Sequence, residues 1–528
     1  MRSTGVRSGD RRSGGGVRES GASRPGIPEA RHAGAPGRDW APLVLFAVAC
    51  AERLAFLLGG KDRTWPFTVF YEGDAEHFYA YAQAILRGGS YDNGIPFHPP
   101  LFPLILSLIH AVSGDPVRHL LARSILGVAS ALFAPMLYLF ARDSLGRSAA
   151  LAAGLLAALS FGLDALGTSA TSEGVYLLLL LGLLLLARGI PAGGRAASLR
   201  GAAIGAGTGL LSLARAEGAA VGLPLLAIWL GGLTRSEPRR ALRLAFAAAA
   251  GFILVLAPWT IRNAVRLSEW NRTVGRSIDV RLPTFVPLTA YGPLNFALAN
   301  NDLATGGFQR AILTSRSGAP VLDLADPQHS HYFLRGTGEG IGWIASHPGR
   351  FVRLCLVKVE IASRALDLGW LPWNVPMGRS GTRLPVDLFA PRGTGLRYVQ
   401  LGLCAWGLLL LLRRGGSRKS VLLLALPPLA VLLTTLLSFG YVRFGMIAAA
   451  FLFAFEGVAL AWIAGKAPER IRSLVRRTPV WGALLALLLA TLIYGAAQSR
   501  DYRASGTTDA PGGKLLRDAP IQIEPLGR

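Results

Sequence analysis

Long stretches of this chain carry no charged residue. Tyr176–Ala187 and Val421–Leu437 are two of them, both dominated by leucine. Runs approaching about 20 apolar residues suit a bilayer's hydrocarbon core, where only helices and closed barrels satisfy their own backbone polar groups. Composition agrees. Charged residues make up 16% of the 528, hydrophobic residues 51%, and mean hydropathy is +0.40. A soluble fold carries roughly 25% charge. The expected fold class is therefore all-α polytopic membrane protein.

Apolar length places about eleven membrane spans, and up to thirteen. They run near 41–59, 119–141, 148–165, 173–188, 199–214, 218–233, 241–259, 396–412, 419–439, 443–465 and 479–498. The net charge of +24 sits largely in arginines at the ends of these runs. Such a pattern orients membrane spans and leaves no soluble domain for nucleic acid. Alternation from a cytoplasmic N-terminus puts five short basic connections inside: Arg142–Arg147, Arg188–Arg200, Arg235–Arg243, Arg413–Lys419 and Lys466–Arg477.

The organisation that follows begins with a basic, Gly- and Ser-rich disordered tail over 1–39. An N-terminal membrane module covers 40–259 and contains a first outer loop, 60–118. A large outer loop fills 260–395, C-terminal spans fill 396–500, and a flexible tail fills 501–528. Pro99–Val112 is apolar but short, as re-entrant segments are. Phe351–Leu366 mixes apolar residues with Arg353, Lys358, Glu360 and Arg364, so it reads as an interfacial amphipathic helix. Cys50, Cys355 and Cys404 match neither a disulfide framework nor a zinc site. Gly201, Gly205, Gly207 and Gly209 lack the strand and lysine of a phosphate loop and read as close helix packing. Asn271-Arg-Thr matches an N-glycosylation acceptor.

Several ionisable residues cluster on the outer side of this span count. Asp74 opens a helix with aromatic and apolar residues at Phe78, Tyr81 and Ile85. On composition alone it is a helix N-cap after the turn-forming Gly73. Glu173 stands at the head of the fourth span, where the helix dipole favours acid. Asp164 is a second acid nearby. His98 precedes a Pro-Pro pair; Arg215 and Glu217 share an outer turn; Arg262 and Arg443 end apolar runs. For Arg262 and Arg443, snorkelling or a surface ion pair weighs equally with phosphate binding, which the planar fork suits, while Arg215 reads as structural, paired with Glu217. Asp74, Glu76 and His77 offer ligands for a divalent metal ion, without a spacing that demands one.

The order of motifs carries a resemblance. After Asp74 come Phe97-His-Pro-Pro-Leu-Phe-Pro-Leu, Thr171-Ser-Glu-Gly, Ala214-Arg-Ala-Glu-Gly, Ala257-Pro-Trp-Thr-Ile-Arg-Asn and Tyr441-Val-Arg-Phe. Over roughly residues 40–465 this resembles the polyprenyl-phosphate-sugar-dependent GT-C glycosyltransferases. Bacterial family 39 members, akin to protein O-mannosyltransferases and lipid A aminoarabinose transferases, are the most similar. The resemblance implies a GT-C helical fold with two large extracytoplasmic loops, in the cell inner (plasma) membrane. It also implies a polyprenyl-phosphate sugar donor and an acceptor that is a lipid, a protein or a cell-wall glycan.

Asp74 maps to the family's proposed catalytic base and Glu173 to a second acid, with Asp164 as its substitute. Arg262, Arg443 and His98 would bind the donor phosphate. Glu76, Arg215 and Glu217 would serve the acceptor or the structure. The chemistry fits these types. Attack on an anomeric carbon with inversion needs one proton acceptor, while a phosphate leaving group needs cations rather than an acid. Two departures stand out. Ala75 follows Asp74 where many relatives carry a second acid, and His98 stands where the lipid A enzymes carry lysine. A transporter or flippase of a lipid-linked sugar is the rival reading, although no repeated halves are visible.

Overall fold

A computed structural model describes residues 39–59, 74–89, 91–113, 119–192, 194–313, 322–368, 396–413 and 418–466. All regular structure among the described residues is helical. The 1–38 tail, the 479–498 span and the C-terminal tail expected from sequence lie outside them.

In chain order the helices are α1 (Ala41–Gly59), α2 (Asp74–Arg87), α3 (Leu101–Ser113), α4 (His119–Ala131), α5 (Phe133–Leu145) and α6 (Arg147–Ala158). Next come α7 (Phe161–Thr168), α8 (Glu173–Ala187), α9 (Gly194–Ala214), α10 (Gly218–Leu230), α11 (Leu233–Ser236) and α12 (Pro238–Trp270). The last six are α13 (Gly292–Ala299), α14 (Pro327–Ser346), α15 (Pro348–Ser363), α16 (Leu396–Arg413), α17 (Arg418–Leu437) and α18 (Val442–Lys466).

Four helical stretches among the described residues are long and apolar enough to cross a membrane: Leu121–Leu145, Pro238–Gly275, Arg418–Leu437 and Val442–Lys466. The pair α6–α7, bent by 56°, makes a fifth if it counts as one span. Other expected spans are weaker for stated reasons. Helix α1 carries Glu52 and Arg53, α9 is built largely of Gly and Ala, and α8 and α10 have only 15 and 13 residues. Bulky apolar side chains face outward along α12 (Phe246, Ile253, Leu254) and α17 (Leu429, Leu433). An apolar surface of this kind is stable against lipid and costly against water.

The main core joins α1, α5, α6, α8 and α18 through side chains such as Leu45, Tyr138, Leu180 and Phe451. Ala-rich α6 lets α18 approach closely: a Cβ on Gly457 would run into the backbone of Ala149 and Ala153. The α9 glycines do the same for α12. A Cβ on Gly205 would overlap the Ala248 carbonyl, and one on Gly251 the Ala202 carbonyl. The glycine row is therefore a packing seam, as its spacing in an apolar helix suggests.

Two smaller cores lie apart from the main one. Phe78 and Ala82 of α2 meet Phe102 and Leu106 of α3, with Phe78 and Phe102 rings 5.0 Å apart. Trp270, Tyr291, Leu294 and Phe333 form the other. Helix α12 continues past its apolar stretch into a π-turn at Asn271–Gly275. The 38 residues of Pro238–Gly275 extend to roughly 55 Å at 1.5 Å per residue, well beyond a hydrocarbon core of about 30 Å. The Asn271 side-chain amide both donates to and accepts from the Leu282 backbone, each at 2.8 Å. The residue of the glycosylation-like triplet thus has a structural role. Helix α15 packs on α17 and α18. On it the fully buried Lys358 donates to Asn300 Oδ1 at 2.9 Å and to the Leu436 carbonyl at 3.2 Å.

Candidate active site

The N-termini of α2 and α18 and the C-termini of α9 and α17 converge on a cavity of about 260 Å³. Asp74, His98, Arg215, Glu217, Arg310 and Arg443 lie in its wall, with Thr289, Asn295 and Ser438 as neutral hydrogen-bonding groups. Local sequence explains how each arrives. The Pro99-Pro100 pair ends one segment and starts α3, which leaves His98 at the mouth of α2. Residues 215–217 form the tight turn between α9 and α10, where a Cβ on Gly218 would strike the Leu211 carbonyl. Arg443 lies in the first turn of α18, after the Gly440 turn that bonds to the Gly306 carbonyl.

The ionised groups form an alternating chain. Arg443 Nη1 is 2.6 Å from Asp74 Oδ2 and 3.3 Å from Glu173 Oε1. Glu173, fully buried, also accepts from Arg215 Nη1. Arg215 continues to Glu217 Oε1 at 2.9 Å and 2.6 Å through Nε and Nη2. The Phe444 ring lies under the Arg215 guanidinium, 4.9 Å from its centroid. Five sequence-selected residues, Asp74, Glu173, Arg215, Glu217 and Arg443, thereby form one network.

Electrostatics distinguish the residues of the mouth. Burial alone would raise the Asp74 pKa, but the Arg443 charge beside it, with help from His98, pulls it down to about 2. Burial depresses His98 to about 4, and the nearby Asp74 only partly offsets this. His98 is neutral at pH 7, and its 3.8 Å approach to Asp74 is then not an ion pair. Its Nε2 is buried without a hydrogen-bond partner among the described residues. It therefore offers an orientable neutral nitrogen to the cavity.

Arg262 is placed differently from the expectation. Its guanidinium grips Asp92 with both prongs, at 3.1 Å and 2.9 Å, and donates to the Tyr91 carbonyl at 3.0 Å. It lies over the Trp259 ring at 4.7 Å. Asp92, at φ 57°, turns the loop between α2 and α3. Trp259 and Asn263 bond the Leu288 carbonyl, Asn263 also that of Val286. The Pro-Trp-Thr-Ile-Arg-Asn motif thus clips the segments around Asp92 and Leu288 to α12. Arg262 is absent from the cavity wall because its fork is committed to Asp92. Asp164 pairs with Arg53 at 3.4 Å inside the bundle. The Glu76 side chain lies outside what is described. Among the described residues no three His, Cys, Asp or Glu side chains gather as metal ligands.

Sequence reading missed Arg310. It belongs to a segment without helical periodicity, and Phe308, two residues earlier, was its one visible signal. Its guanidinium lies over that ring at 5.2 Å.

Residues 97–261 match the family described as dolichyl-phosphate-mannose-protein mannosyltransferase. The match covers less than a third of the chain. The matched segment contains His98, Glu173, Arg215 and Glu217, and stops one residue short of Arg262. Among solved structures, the apo oligosaccharyltransferase of Archaeoglobus fulgidus is similar over 93% of this chain and 60% of its own, at TM-score 0.47 and 14% identity. The chain therefore spans about 60% of that protein's length. ArnT from Cupriavidus metallidurans bound to undecaprenyl phosphate is similar over 82% of each chain, at TM-score 0.36 and 16% identity. No curated protein matches the sequence.

Proposed function

We propose that this chain is a membrane glycosyltransferase that moves a sugar, with inversion, from a polyprenyl-phosphate donor to an acceptor hydroxyl on the extracytoplasmic side. One observation carries the reading. Asp74 lines one cavity with Arg443, Arg215 and Glu217, and the buried Glu173 behind them pairs with both arginines, although Asp74 and Arg443 are separated by 369 positions. The segment that matches the dolichyl-phosphate-mannose-protein mannosyltransferase family supplies two of those carboxylates, and undecaprenyl phosphate is the ligand named for ArnT.

In this mechanism the acceptor oxygen bonds the anomeric carbon as the bond from that carbon to the phosphate oxygen breaks. The bonding pair leaves on the phosphate, and Asp74 takes the acceptor proton. A hydroxyl becomes acidic as its oxygen forms the new bond, so a carboxylate with a low pKa still serves once that bond is well advanced. Arg443 and Arg215 hold Asp74 and Glu173 ionised in a partly buried site. Thr289, Asn295 and Ser438 suit sugar hydroxyls.

The test is release of polyprenyl phosphate from a sugar-loaded donor when acceptor is added. Release that depends on acceptor supports transfer. Donor that crosses the membrane with its sugar still attached refutes it.

A further inference from the structure

We propose that a hollow between α9 and α12, at the end of α9 remote from the Asp74 cavity, binds the headgroup of an anionic phospholipid. The proposal goes beyond the transferase reading and does not depend on it. The hollow has a volume of about 620 Å³, and Ser198, Glu237, Arg239, Arg240 and Arg243 stand in its wall. Helix α9 links the two places: Gly194 lines the hollow and Ala214 lines the Asp74 cavity. Its 21 residues rise about 30 Å, the thickness of a hydrocarbon core.

Charge sets the sign of the ligand. Glu237, the acid of this wall, is taken up by Arg240 at 3.0 Å and 3.3 Å. Arg240 also donates to the Pro191 and Ala192 carbonyls at 2.7 Å and 3.3 Å, which ties the segment before α9 to the start of α12. Arg239 and Arg243 are exposed one turn apart on α12, and neither forms an ion pair among the described residues. Like charges at that spacing repel each other, and an anion between them removes the repulsion. Two planar forks on one wall suit the oxygens of a phosphate. The helix face below them decides the source of that phosphate. From Arg239 the same outward stripe of α12 runs through Leu242 and Phe246 to Ile253, in steps of three and four residues, and all three apolar side chains are exposed. A soluble phosphate has no use for such a stripe. A phospholipid sets its phosphodiester against the arginines and its acyl chains against Leu242 and Phe246, as basic pockets between membrane helices do with anionic headgroups.

The experiment titrates the full chain in maltoside detergent with dihexanoyl phosphatidylglycerol, dihexanoyl phosphatidylcholine and glycerol 1-phosphate, and reads saturable binding by native mass spectrometry. The proteins are wild type, the double variant Arg239→Gln with Arg243→Gln, and a control, Arg272→Gln with Arg276→Gln. The control removes an exposed arginine pair of the same spacing from a different hollow. Wild type should bind phosphatidylglycerol roughly tenfold more tightly than either other ligand. The Arg239/Arg243 variant should lose about 25-fold of that affinity, about fivefold for each arginine at a membrane surface, with an unchanged melting temperature. The control should lose less than about twofold. If the Arg239/Arg243 variant melts early, Ser198→Asp takes its place, since a negative charge in the same wall should weaken binding to a similar degree. Wild-type affinity in the folded variant overturns the proposal, and so does phosphatidylcholine binding equal to that of phosphatidylglycerol. An equal loss in the control overturns it too, because the attraction is then diffuse. Glycerol 1-phosphate bound as tightly as phosphatidylglycerol overturns the assignment to a lipid. None of these results bears on transfer at Asp74.

Discussion

Arg443 Nη1 donates to Asp74 Oδ2 at 2.6 Å, a contact that ties the start of α2 to the head of α18. The same guanidinium reaches Glu173 at 3.3 Å on α8. Three separate elements of the chain meet at a single side chain that is 9% exposed. The arginine thus has two tasks: it keeps two carboxylates ionised and it closes one wall of the cavity.

Arg443→Gln leaves Asp74 and Glu173 facing each other without that charge. Breaking a buried ion pair from one side costs about 3–5 kcal/mol. The expected outcome is a lower melting temperature in detergent and loss of transfer. Arg443→Lys restores stability in part, because a point charge cannot serve both acids bidentately. Wild-type melting in Arg443→Gln would contradict the network.

Arg262 and Asp92 act as one unit. The Asp92 side chain is fully buried, so removing either partner leaves the other stranded. A double-mutant cycle of Arg262→Gln and Asp92→Asn predicts a coupling of about 1–3 kcal/mol in unfolding free energy, with the double variant hardly worse than either single one. Simple additivity would show that the two do not share an interaction.

Stability should fall on acidification, with the sign set by two groups. His98 titrates near 4 in the fold, against about 6.5 when unfolded. The unfolded chain therefore binds more protons over that interval, and stability is lost as pH drops from about 6.5 toward 4. Asp74, near 2 in the fold against about 3.9 unfolded, extends the loss to lower pH. Melting temperatures from pH 7.5 to 4.5 check this, and His98→Gln should flatten the upper part of the slope. An unchanged slope in that variant would remove His98 from the account.

Helix packing at the α9–α12 seam is the fourth expectation. Gly205→Ala forces the Ala248 backbone away and should destabilise the protein by about 1–3 kcal/mol. Gly402→Ala, with open space at its Cβ position on α16, should be neutral or slightly stabilising. Equal melting temperatures for the two variants would mean the seam is not close-packed.

These residues show what a sequence makes legible here. Apolar runs announced α8, α17 and α18 because lipid demands length and low charge, and the α9 glycines announced contact because their spacing repeats on one face. Asp74, Glu173, Arg215, Glu217 and Arg443 were identifiable by order and by side of the membrane, since each sits at an element boundary. The partner of Arg262 was not legible, because Asp92 lies 170 positions away in a loop with no periodicity. Arg310 escaped for the same reason. A cation beside an aromatic in irregular chain gains meaning only when distant turns bring Tyr441 and Phe439 to it.

The most direct test of the account is transfer by Asp74→Asn, scored as acceptor-dependent release of polyprenyl phosphate from protein shown to be inserted and folded. Asparagine keeps the shape and loses the proton acceptor, so turnover should drop by about 10²–10⁴-fold with donor binding retained. Turnover within a few-fold of wild type would contradict the central claim that this carboxylate takes the acceptor's proton.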